Sequence, residues 1–148
     1  MKFLGLAAQS PDTSRPVIQF IVSSLREGAT SRSRTDDAAE TQTLRATAST
    51  AAGALGAAPP RMLGLPDNRL DTPALLDIVQ LIESVIAELK PQMGYTHFVG
   101  DLSRDHSITA EAVEIACRPL LGQTVSVLYA FETVSGTEWG IGDTAFMP

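Results

Sequence analysis

Short apolar runs alternate with polar stretches along this chain, and the period of the apolar positions changes from run to run. Residues 3–8 (FLGLAA) and 17–24 (VIQFIVSS) are compact apolar runs. The second is rich in β-branched residues, and both predict buried strands. The polar, proline-containing stretch QSPDTSRP lies between them. From about Asp37 to Leu55 the period becomes helical. Leu44, Ala48, Ala51, Ala52 and Leu55 share a face, and Gly56 can end the helix. RMLGL (61–65) predicts a short strand and PDNRLD a turn. Leu75, Ile78, Val79, Ile82, Val85, Ile86 and Leu89 then follow the i, i+3, i+4, i+7 rule. Asp71 or Thr72 can cap that helix, with Pro73 at its first position and Lys90 and Pro91 closing it. MGYTHFV (93–99) predicts a strand, ITAEAVEIACRPL (108–120) a helix and TVSVLYAFE (124–132) a strand. The remaining tail reads as loop.

Strands alternating with helices over short connections predict an α/β fold with parallel βαβ units. Ligands of such sheets gather outside the carboxyl ends of the strands. The stretches EGATSR, LPDNR, GDLSRDH and ETVSGTEW each follow a strand candidate, so they are expected to converge on one sheet edge.

Composition narrows the partners. The formal net charge is −6 and the pI about 4.8. That argues against a nucleic-acid backbone or an anionic membrane surface. No apolar run approaches the roughly 20 residues of a membrane span. The start, MKFLGLAA, reads as a strand and not as a signal peptide, so a cytoplasmic protein is expected. The single cysteine, Cys117, excludes an internal disulfide and a cysteine-rich zinc site, and its helical pattern suggests a buried thiol.

The chemistry concentrates in THFVGDLSRDH, residues 96–106, which holds the only two histidines. His106 can bind zinc through a neutral imidazole whose tautomer a carboxylate fixes, or can simply begin a helix. His97 can orient a substrate, pair with Asp101, or serve as a structural histidine. Asp101 and Asp105 suit an acid–base pair or helix capping, with capping favoured for Asp105. A hydrolytic zinc site needs about three protein ligands, more than this loop supplies. The chain has no Walker A, GxGxxG, GxSxG or CxxC pattern.

Several pieces in order carry a resemblance: EGATSR (27–32), LGLPDNRLD (63–71), KPQMGYTH (90–97), DLSRDHS (101–107), ACRP (116–119) and FETVSGTEW (131–139). Together they resemble the LmbE-like, or PIG-L, zinc-dependent de-N-acetylases. The resemblance implies a Rossmann-like three-layer fold with a mainly parallel sheet. It also implies hydrolysis of N-acetyl groups on amino-sugar conjugates by zinc-activated water. By the same resemblance His106 is the zinc ligand, and Ser103 stands where some members carry a histidine. The family's second half-site is an Ala-His-Pro-Asp-Asp-Glu signature after the first strand. Here AAQSPDTS (7–14) occupies that place. Asp12 then matches the general base, Ser10 or Gln9 the ligand histidine, and Thr13 the ligand aspartate.

Only Thr13, Ser14, Arg15 and Pro16 separate Asp12 from the next strand, whereas a parallel crossover needs a dozen residues or more. The expectation is one shortened family-like domain over residues 1–148, lacking the family's N-terminal βα unit and its C-terminal part. Hydrolysis is expected to be impaired; the alternative is a non-catalytic binding or assembly module. The expected site comprises Asp12 and Asp105 as catalytic groups and His106 on zinc. Glu27, Arg32, Asp67, His97 and Asp101 would line the substrate pocket. A small amino-sugar-type ligand and a homo-oligomer are the expected partners, with no nucleic acid and no membrane.

Overall fold

The computed structural model describes residues 3–9, 16–22, 38–65 and 68–137. Among these, five strands form one sheet, β1 (Phe3–Gln9), β2 (Pro16–Val22), β3 (Ala58–Met62), β4 (Met93–His97) and β5 (Val127–Phe131), in the order β3-β2-β1-β4-β5. The helices are α1 (Ala38–Ala54), α2 (Leu75–Leu89), α3 (Arg104–Ala116) and the single turn α4 (Val134–Thr137).

β2 pairs with β3, and β4 with β5, in parallel. β1 is antiparallel to both of its neighbours. The short connection dictates this. With Gln9 opposite Pro16, the chain has no length for a crossover and must reverse into a hairpin. The sheet is therefore mixed, with β1 alone running against the other four strands. Those four strands end on one edge, where Val22 lies opposite Met62 and His97 opposite Phe131.

The core lies where α2 meets α3. Ile78, Val79, Ile82, Val85 and Ile86 of α2 pack with Ile108, Ala112, Val113 and Ala116 of α3, joined by Leu70 and Val125. The unbroken apolar stripe of α2 explains its burial. α2 begins at Leu75, after Ala74, without a side-chain cap. Thr72 Oγ1 instead donates to the carbonyl of Arg69 at 2.7 Å and closes the preceding turn. Lys90 ends α2 in the left-handed region, its N–H bonded to the Ile86 carbonyl at 2.8 Å. Arg61 of β3 grips both carboxylate oxygens of Glu88, with Nη1 2.6 Å from Oε2. That hydrogen bond holds the Glu88 carboxyl below its ordinary range.

α1 packs on β3 through a narrow stripe in which, among its described side chains, Ala48 and Ala52 are buried, and Leu55 stands exposed at its end. Burial pushes the Cys117 thiol up to about 11, so it stays protonated at neutral pH, as a packing residue does. Among the described residues no helix is long and apolar enough to cross a membrane.

Candidate metal centre

The two histidines meet at the carboxyl edge of the sheet. His97 is the last residue of β4, and His106 lies in the first turn of α3. α3 starts at Arg104, four residues before the apolar pattern that predicts it. The reason is Asp101. Its Oδ1 accepts from the Ser103 N–H at 2.8 Å, and its backbone carbonyl accepts from Ser107 Oγ at 3.0 Å. These bonds satisfy donors at the helix entry and wind the first turn around Asp101.

Asp101 also fixes His106. Its Oδ2 lies 2.9 Å from Nδ1 of that imidazole, and both residues are 5 % exposed. A hydrogen bond at Nδ1 assigns any metal-ligating role to Nε2, the usual carboxylate–histidine arrangement around zinc. The rings of His97 and His106 stack in parallel, with centroids 3.8 Å apart and 3° between planes. Phe131 of β5 closes on His97 from a centroid distance of 4.7 Å.

His97, Asp101 and His106 can each bring one ligand atom within 4.8 Å of the other two, and all three are buried. The stacking decides whether they fit one zinc ion. An imidazole binds metal along a lone pair in its own plane. A metal shared equally by these two parallel rings would stand as much as about 1.9 Å out of each plane, against a zinc–nitrogen bond of about 2.0 Å. The stacked pair therefore does not fit a tetrahedral ion held by both rings. What does fit is one ligand, His106, with Asp101 as its orienting carboxylate.

Asp105 points elsewhere. It is buried in the first turn of α3, and its Oδ1 accepts the Leu70 N–H at 3.2 Å, tying the loop before α2 to α3. Asp12, Glu27, Arg32 and Asp67, together with Trp139, lie outside the described residues. The strand end that leads into Asp12 is described. Ala7 of β1 lies opposite Met93, so β1 leaves the sheet at the edge away from His97. β2 and β3, which lead toward Glu27, Arg32 and Asp67, end on the same edge as His97.

Two contributors escape a reading of the sequence for reactive groups. Phe131 packs on His97, and the backbone of Gly136 in α4 lies against the Asp101 carboxylate. The signal for both was their position, directly after or at the end of a parallel strand on the edge that holds His97.

An α/β sheet thus carries a buried histidine–aspartate group at the carboxyl edge of its parallel strands, where ligands of such sheets gather. The chain belongs to the PIG-L family, described as GlcNAc-PI de-N-acetylase, whose family model matches residues 4–117. That span includes His97, Asp101 and His106. No curated protein and no solved structure matches the chain.

Proposed function

We propose that this chain is a de-N-acetylase homologue that retains the His106 half of a zinc site and is impaired in hydrolysis. The observation that carries the reading is the stacking of His97 on His106, which leaves a single imidazole correctly oriented for metal. The course of β1 supports it, because the strand leading to Asp12 departs from the opposite sheet edge. Zinc chemistry needs several ligands at fixed geometry, so we derive no hydrolytic step from the described set. The family match makes an acylated amino sugar the first ligand class to try.

The test is zinc content by elemental analysis after loading and dialysis, with acetate release from an N-acetylglucosamine conjugate measured in parallel. Well under one zinc per chain and no acetate are expected. One tightly held zinc, lost in His106→Ala and accompanied by acetate release, sinks the reading.

The same proposal extends to architecture. Right-handed crossovers would carry α1 to one face of the sheet and α2 with α3 to the other, in three layers. Self-association is also proposed. Tyr95 and Tyr129 stack on each other at 5.3 Å and remain exposed beside Val127, on the edge pair β4–β5. Exposed apolar surface next to a sheet edge favours a second copy. Sedimentation velocity is expected to give a dimer or larger species that Tyr129→Lys dissociates. A monomer at every concentration rules it out.

A further inference from the structure

We infer that Gly136 is a positioning residue for the Asp101–His106 pair, through the absence of a side chain. The turn α4 follows β5 and comes back over the entry of α3. The Gly136 carbonyl accepts the Leu102 N–H at 3.3 Å, one residue from Asp101. Its own N–H donates to the Thr133 carbonyl at 2.6 Å, which fixes the turn.

A Cβ placed on Gly136 would collide with Asp101 Oδ1 and stand 2.7 Å from both Cγ and Oδ2. Those distances are far inside van der Waals contact. Asp101 is too confined to yield, being held by Ser103 N–H on one oxygen and by His106 on the other. The backbone does not explain the glycine. Among the described residues the positive-φ glycines are Gly56, Gly64 and Gly122, and Gly136 is not one of them. Its conformation suits any residue, and in a helical turn alanine is ordinarily the better choice. Only the space occupied by the Asp101 carboxylate requires glycine here.

The pair at stake is the one that orients His106, so a side chain at 136 displaces Asp101 and releases the imidazole. This inference goes beyond the family match, which ends at Cys117, before β5. It does not depend on zinc.

The experiment uses the whole chain without metal. Long-range nitrogen–proton NMR of the histidine rings reports the proton on His106 Nδ1, and urea unfolding reports stability. Gly136→Ala is expected to abolish the exchange-protected Nδ1 proton and to lower the folded-to-unfolded ratio roughly tenfold or more, as overpacking does. Val134→Ala, in the same turn but exposed, is expected to leave both readouts unchanged. In an Asp101→Ala background the clash is gone, so Gly136→Ala is expected to become neutral or stabilising. A Gly136→Ala protein that keeps the protected proton overturns the inference. So does a stability loss of the same size with and without the Asp101 carboxylate. Should Gly136→Ala fail to fold alone, the double variant still decides: refolding beside Asp101→Ala supports the contact, and failure of the double variant where Asp101→Ala alone folds refutes it.

Discussion

Asp101→Ala is expected to cost roughly 2–4 kcal/mol of folding stability, although it removes a surface-type residue from a loop. One part is the loss of the acceptor for Ser103 N–H at the entry of α3, about 1 kcal/mol for such helix-entry bonds. The larger part is the buried His106 Nδ1, which loses its carboxylate partner, about 1–3 kcal/mol. Asp101→Asn keeps one carbonyl oxygen, which can serve Ser103 or His106 but not both, so an intermediate loss is expected. Urea denaturation of the two variants beside the parent chain measures this. Asp101→Ala unfolding within about 0.5 kcal/mol of the parent, the ordinary scatter of surface changes, would remove Asp101 from its place as organiser of the site.

Leu70→Ala is expected to cost as much or more, roughly 2–5 kcal/mol, the range for a buried leucine reduced to alanine. Leu70 sits in the turn ahead of α2 and is 1 % exposed, packed in the α2–α3 core. Its N–H is held by Asp105, so the backbone cannot readily collapse into the space the side chain leaves. The contrast is Leu55, 71 % exposed at the end of α1, where the same substitution is expected to change stability by no more than about 0.5 kcal/mol. Thermal or urea unfolding of both variants supplies the comparison. Equal effects at the two positions would mean that Leu70 does not plug the core.

Leu70 also shows where a reading of the sequence stops. Its neighbours Asp67, Asn68, Arg69 and Asp71 mark a polar turn, and nothing local distinguishes a leucine that projects inward. α2 was legible because one periodic stripe faces one core, and local pattern and tertiary packing agree. α3 was legible in its apolar half only. Its first turn depends on the Asp101 side chain, a capping interaction that periodicity does not register. The reversal at β1 followed from connection length, yet the pairing of β1 with β4 joins distant segments and leaves no local mark. At the site, His97, Asp101 and His106 are close in sequence, and their meeting was foreseeable from a strand end feeding a helix. The parallel stacking of the two rings was not, because it depends on side-chain rotation. Gly136 comes from the far side of β5 and is brought in by topology alone.

The position of β1 gives the sheet a particular connectivity. β2, α1 and β3 form one unit of consecutive elements, and β4, α3 and β5 form another. Within each unit the chain pairs with its own near neighbours. The hydrogen-bond ladder passes between the units only through β1, which carries β2 on one side and β4 on the other. β1 is thus the sole bridge in the network of described strands. Take it out, and one sheet becomes two separate strand pairs, held together through α2, by its packing on α3 and the Arg61–Glu88 contact, and no longer by any strand ladder.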